Sequence, residues 1–185
     1  MNFEPFGPDF YRRDPLIVAP DLLGMMLIRR VDATTVKIAR IVETEAYRGE
    51  EDLACHAARG RTTRTESLYG PPGLAYIYLI YGMYDMLNAV TWPEGDPSAV
   101  LIRAVEPIEG IDRSTDGPGK LTRAMSIDRS LNRVSLDGPE LLIAAGEPVE
   151  RQEVSTGPRI GVGYAGEWAE RPWRFWIAGN QHVSR

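Results

Sequence analysis

Two glutamates and a tyrosine at alternate positions, Glu43, Glu45 and Tyr47, are the residues of this 185-residue chain best placed to do chemistry. They sit in the run Ile-Val-Glu-Thr-Glu-Ala-Tyr from 41 to 47. A carboxylate can take a proton from water, and a pair of carboxylates can divide acid and base work between them. Along a strand the two glutamates stand roughly 6.6 to 7 Å apart, near the about 6.5 to 9.5 Å of inverting carbohydrate hydrolases. Such pairs flank the broken bond from opposite sides, however, and two residues on one face of one strand approach from the same side. Burying either acid without partners is costly, because an ionised carboxylate loses its hydration. A solvated outer face is the bland alternative.

The element that must carry these residues is a β-strand from Val36 to Tyr47. Strict alternation puts Val42, Thr44 and Ala46 on one face, and Ile41, Glu43, Glu45 and Tyr47 on the other. A strand from Met25 to Val31 precedes it, joined through Asp32-Ala33-Thr34 as a hairpin. Before that, Asp14-Pro15 opens a capped helical segment ended by Gly24, with Leu16, Ile17, Leu22 and Leu23 inward and Pro20 breaking it into two short turns. From Arg48 to Pro72 no period is sustained. A polar stretch of that length invites suspicion of function, and it holds His56 and the arginines 59, 61 and 64.

Aromatic and branched residues fill both faces of 74–90, which predicts two strands turning at Gly82. Tyr81 then stands at the hairpin tip. It either packs inward, the common fate of a strand-end tyrosine, or forms an aromatic wedge able to enter a base step. In the strand from Val100 to Val105, Arg103 lies among apolar neighbours and needs an anion: Glu43, Glu45 or a ligand phosphate. Gly117-Pro118-Gly119-Lys120 opens an amphipathic helix to Ile127 with Leu121, Ala124 and Met125 inward, and its start could take a phosphate through free N–H groups and Lys120. It is not a P-loop, since Ser114 and Leu121 break the pattern. A strand follows from Leu141 to Ala144. The glycines at 161, 163 and 166 match a dinucleotide fingerprint by letter, but the chain ends before the crossover helix, second strand and acidic residue that the motif requires. Trp173 to Ala178 is the last strand.

With 43% hydrophobic residues the chain can bury one sizeable core, so one domain over 1–185 is expected. No apolar run approaches the roughly 20 residues of a membrane helix. The Met-Asn-Phe-Glu-Pro start lacks the basic and apolar blocks of a signal peptide. A soluble, intracellular protein follows, with no membrane partner and the cytoplasm as its expected location. One cysteine, Cys55, and two histidines, His56 and His182, cannot close a zinc site or an internal disulfide, so neither metal nor redox cofactor is expected. The net charge of −5 weighs mildly against nucleic acid, yet all but two of the cationic residues, Lys37 and Lys120, are arginines suited to bidentate phosphate contact.

Several of these motifs occur together, in order and at consistent spacing. Ile-Val-Glu-Thr-Glu-Ala-Tyr at 41–47, His56, Tyr-Ile-Tyr-Leu-Ile-Tyr-Gly-Met-Tyr at 76–84, Asn88, Leu-Ile-Arg-Ala at 101–104 and Gly-Val-Gly-Tyr-Ala-Gly-Glu-Trp at 161–168 resemble the alkyladenine (3-methyladenine) DNA glycosylase family. The likeness is dense from 41 to 110, thinner at 117–127 and 159–177, and weak at both termini. It implies an α+β fold: a single compact domain around a curved antiparallel sheet, with flanking helices and a protruding hairpin. It implies Glu45 as the base that activates water and Arg103 as the residue that positions that water. By the same likeness Tyr47, His56 and Tyr78 enclose an extruded base, Asn88 screens against the guanine amino group, and Tyr81 plugs the duplex. Arg59, Arg61, Arg64 and Lys120 are candidate phosphate contacts. The implied partner is double-stranded DNA carrying damaged purines, the default state is a monomer, and no cofactor is needed. Tyr164 departs from the histidine of many relatives, and 68–70 also differ.

The reaction follows from these residues. A base inside a duplex must be rotated out before it can be reached, and the void must be filled. Loss of a purine builds positive charge on the sugar, which a carboxylate can stabilise while accepting a proton from water. With Lys37 and Lys120 the only lysines and neither in the proposed site, an amine nucleophile and strand cleavage are not expected. The rivals are a noncatalytic damage-binding module that keeps the wedge, and a carbohydrate hydrolase using Glu43 and Glu45.

Overall fold

The chain enters through two short helices, α1 (Pro8–Tyr11) and α2 (Pro15–Asp21), in a computed structural model that describes residues 3–184. Met1 and Asn2, the start of the stretch read above for a signal peptide, lie outside the described residues, as does Arg185. Asp14 caps α2 by accepting the Leu16 N–H at 2.9 Å, with Pro15 at the first helical position. Two expectations fail here. Pro20 does not break the helix, because it removes a single donor close to the C-terminal end, and Leu22 N–H still reaches the Val18 carbonyl at 2.9 Å. Ile17 is 51% exposed, whereas Leu16, Leu22 and Leu23 pack into the core as expected, with Val18 and Ala19 beside them.

Strands β1 (Met26–Arg30) and β2 (Val36–Arg48) form the expected hairpin, its turn held by Asp32 Oδ1, which accepts the Thr34 and Thr35 N–H groups at 2.8 Å. The remaining strands are β3 (Ala75–Ile80), β4 (Tyr84–Val90), β5 (Ser98–Glu109), β6 (Leu141–Ala144), β7 (Val154–Gly157) and β8 (Arg174–Ile177), and the third helix is α3 (Pro118–Met125). They make one curled antiparallel sheet in the order β3-β4-β5-β2-β1-β6, with β8 beside β2 where β1 ends and β7 outside β8. The architecture is α+β. One face of the sheet is packed by the helices around Val18, Leu22, Ile41, Leu121 and Met125. The other carries a smaller apolar cluster of Leu68, Tyr76, Val90 and Ala99, so β5 is buried on both faces over its first eight residues. No helix among the described residues is long and apolar enough to cross a membrane.

Strict alternation along β2 does not hold. Ile41 pairs with Val105 and Glu43 with Ala104, which leaves Val42 as an extra residue, and Glu43 to Thr44 then skips Arg103 on β5. These two offsetting bulges change the parity of β2. Ile41 therefore joins Val42 and Ala46 in the helix-side core rather than sharing a face with the glutamates. Glu43 and Glu45 emerge on the other side, and the bulge on β5 aims Arg103 at both of them.

The β3–β4 hairpin closes with Met83 N–H on the Ile80 carbonyl, and both Tyr81 (φ 53°) and Gly82 (φ 68°) lie in the left-handed region. That geometry turns the Tyr81 ring outward, 81% exposed, so the inward packing of a strand-end tyrosine does not occur. Helix α3 braces this ribbon. A Cβ on Gly119 would fall 2.6 Å from the Tyr84 ring, and Thr122 Oγ1 donates to the Asp85 carbonyl at 2.8 Å. Gly163 and Gly166 lie in 3₁₀ turns (Gly163–Glu170), with Gly166 at φ 58°, and Gly161 lies in the bend before them, so none of the three is at the mouth of a crossover helix.

Candidate active site

On the face opposite the helices the sheet floors a cavity of about 470 Å³. Its walls include Tyr47 on β2, Tyr78 and Asn88 on the hairpin strands, Ala99 and Leu101 on β5, the loop holding Ala54, Cys55 and His56, and the strap of Ile160, Gly161 and Val162. Arg103 reaches it from β5, and Tyr81 and Tyr164 stand at its rim. Six of the eleven expected site residues thus line one cavity: Tyr47, His56, Tyr78, Tyr81, Asn88 and Arg103.

Glu45 lies directly beneath it rather than in its wall. Its side chain is wholly buried, and each contact it makes is to a lining residue. Oε1 accepts the Ile160 backbone N–H at 2.8 Å and faces Arg103 Nη1 at 3.4 Å, while Oε2 accepts the Tyr47 hydroxyl at 2.7 Å. Burial raises the Glu45 carboxyl above its ordinary 4.5, with Arg103, the Ile160 N–H and the Tyr47 hydroxyl pulling the other way. Burial, together with the charge and the hydrogen bond of Glu45, also drives the Tyr47 phenol well above 10, so it stays a donor.

Glu43 is differently placed. Its oxygens are taken up by Arg174 Nη1 at 3.0 Å, the Ser184 N–H at 2.8 Å and the Ser184 hydroxyl at 3.0 Å, with Arg103 Nε at 3.4 Å. Arg103 therefore has both carboxylates that the sequence offered it. The Asn88 amide donates to the Tyr76 and Met86 carbonyls at 3.1 and 3.3 Å, which fixes the side chain against the cavity. His56 Nδ1 lies 3.0 Å from the Tyr76 hydroxyl, and its ring stands edge-on to Tyr78 at 4.4 Å. Burial, helped by Arg64 and Arg59, lowers His56 from 6.5 to about 4, so the imidazole is neutral at physiological pH.

The four candidate phosphate contacts stay outside the cavity wall. Arg64 stacks on Tyr78 at 5.3 Å beside the mouth, and Arg59 is exposed close by. Arg61 is held by Glu66 at 2.6 Å and Lys120 by Asp116 at 3.2 Å. Sequence reasoning assigned no part to the Ile160 N–H, Tyr76, Ser184 or the buried Arg159–Asp52 pair. A backbone donor and a partner 107 positions away leave no periodic signal.

A sequence model of the family described as Methylpurine-DNA glycosylase (MPG) matches residues 9–181. A relative in Myxococcus xanthus named "Putative 3-methyladenine DNA glycosylase" is 51% identical, covering 100% of this chain and 95% of its own. Relatives of the same name in Anaeromyxobacter dehalogenans and Legionella pneumophila are 55% and 49% identical, each over 95% of this chain and over 84% and 96% of their own. With the match running nearly end to end and through every wall of the cavity, the chain belongs to the methylpurine-DNA glycosylase family.

Proposed function

We propose that this protein is a base-excision-repair glycosylase that takes an alkylated purine out of duplex DNA and hydrolyses its N-glycosidic bond. The observation that carries the reading is the placement of Glu45. It is a buried carboxylate of raised basicity under an aromatic cavity, with Arg103 and a backbone N–H on one oxygen. The cavity admits a purine between Tyr47 and the His56–Tyr78 pair, and the outward Tyr81 beside its mouth fits the void the purine leaves.

In this reading water adds through oxygen to C1′, the C1′–N electron pair departs with the base, and the water proton passes to Glu45. A cationic alkylated purine leaves as a neutral base, so no acid is needed. A neutral His56 suits such a substrate, since an imidazolium beside it would repel it. The sugar cation that develops is stabilised by the Glu45 charge. Neither lysine lines the cavity: Lys37 donates to the Ala124 carbonyl at 2.6 Å and Lys120 pairs with Asp116. Base release without strand cleavage is the expected outcome, by a monomer that uses no metal. The paired-carboxylate rival suffers from the engagement of Glu43 by Arg174 and Ser184.

The test is incubation with alkylated duplex DNA and identification of the released bases. Glu45→Gln should abolish release while keeping binding to lesion DNA. Release undiminished in that variant removes Glu45 from the chemistry, and binding without release by the wild type favours a damage-sensing module.

A further inference from the structure

Asp52 and Arg159 form an ion pair with no exposed side-chain surface, outside the cavity wall yet bonded to several of its supports. Arg159 Nη1 and Nη2 hold the two Asp52 oxygens at 2.5 and 2.8 Å. The same guanidinium donates to the Ala46 carbonyl at 2.9 Å, on the residue between Glu45 and Tyr47, and to the Trp168 carbonyl at 3.1 Å. Its plane sits 4.7 Å from the Tyr47 ring and 5.0 Å from Trp173. Asp52 in turn accepts the Arg48 N–H at 3.1 Å and the Ala54 N–H at 3.0 Å, which shapes the loop leading to His56. The residue after Arg159 is Ile160, whose N–H meets Glu45 at 2.8 Å.

Apolar side chains of similar volume usually serve stability at least as well as a buried ion pair, so retention of charge here calls for a directional task. A planar fork can hold a carboxylate and two carbonyls in fixed directions at once, which neither lysine nor a hydrocarbon can do. We propose that the Asp52–Arg159 pair is a positioning clasp: it locks the 160–162 strap and the 52–56 loop to β2, and thereby keeps the Ile160 N–H on the Glu45 carboxylate. The inference rests on the reading of Glu45 as the base. Arg159 touches neither substrate nor the reacting atoms and acts through Ile160 and Tyr47.

Arg159→Lys keeps the charge and loses the fork. It should lower the single-turnover rate of base release by ~10- to 100-fold, the scale of a small misplacement of a catalytic group. It should also move the acid limb of the rate profile to higher pH, because Glu45 loses a donor that favours its ionised form. The other groups facing Glu45 are unchanged in charge: Glu43 and Tyr47 from β2, Arg103 from β5 and Tyr78 from β3. A clasp that served stability alone would lower the melting temperature and leave that limb in place, and a folded variant behaving so overturns the proposal. In the wild type, native-state hydrogen exchange of the Ile160 and Ala54 amides should report one common opening. Independent opening of the two loops overturns the clasp even if neither Arg159→Lys nor Asp52→Asn folds. Exchange does not depend on catalysis, so active Glu45→Gln protein would sink the base assignment while leaving this result standing.

Discussion

Tyr47→Phe isolates one hydrogen bond at the centre of the site. The substitution keeps the ring that lines the cavity and stacks on Arg159, and deletes only the hydroxyl that donates to Glu45 Oε2 at 2.7 Å. A hydrogen bond to a charged group contributes about 1.5–3 kcal/mol. Here it favours the ionised carboxylate, so its loss raises the Glu45 pKa further above 4.5. The base form is then lost at a higher pH as the solution is acidified. On the acid limb at fixed pH the rate of base release should fall roughly 10- to 150-fold, the stated energy converted at 1.36 kcal/mol per decade. On the plateau above the acid limb, the rate should hold. Stability should follow the same sign. A carboxyl whose folded pKa is raised burdens the native state at neutral pH and ceases to do so once protonated, so the variant's stability deficit should shrink as pH falls. The assay is single-turnover base release from alkylated duplex DNA across pH, paired with urea unfolding at neutral and acidic pH. An acid limb that stays in place or moves to lower pH refutes the argument, since it would mean that the phenol does not support the charge on Glu45.

Three further outcomes are expected. Tyr81→Ala should abolish accumulation of a flipped-base signal from a fluorescent purine in duplex DNA, yet change unfolding free energy by less than ~0.5 kcal/mol, because the ring is 81% exposed. The His56 imidazole should titrate by NMR near the lowered value of about 4 instead of 6.5. Neutral His56 in the fold means that the unfolded chain binds its proton first, so stability should decline as pH drops from 6.5 toward 4, and His56→Gln should flatten that decline. Arg64→Ala should reduce the slope of log affinity against log salt by about 0.9, one phosphate contact. Arg61→Ala should reduce it less, since Glu66 already holds that guanidinium at 2.6 Å.

Local sequence determined much of this protein. Helix caps at Asp14, the Asp32 turn, the Gly82 hairpin and the long strand through Glu45 follow from side-chain chemistry acting over a few positions, and they were legible for that reason. The candidate site residues were legible through motifs that recur in order along the chain, a carboxylate at 45, a guanidinium at 103 and aromatic side chains at 47, 78 and 81, which together resemble one family. Only the tertiary structure decided which way they point. Compensating bulges at Val42 and Arg103 arise from pairing between β2 and β5, and they moved Ile41 to the core face while leaving Glu43 and Glu45 beside one arginine. The difference between those two acids is likewise tertiary: Arg174 and Ser184, from the far end of the chain, occupy Glu43, while the Ile160 amide and Tyr47 leave Glu45 poised under the cavity. Contacts made across more than a hundred positions obey geometry rather than periodicity, and a one-dimensional pattern holds no record of them.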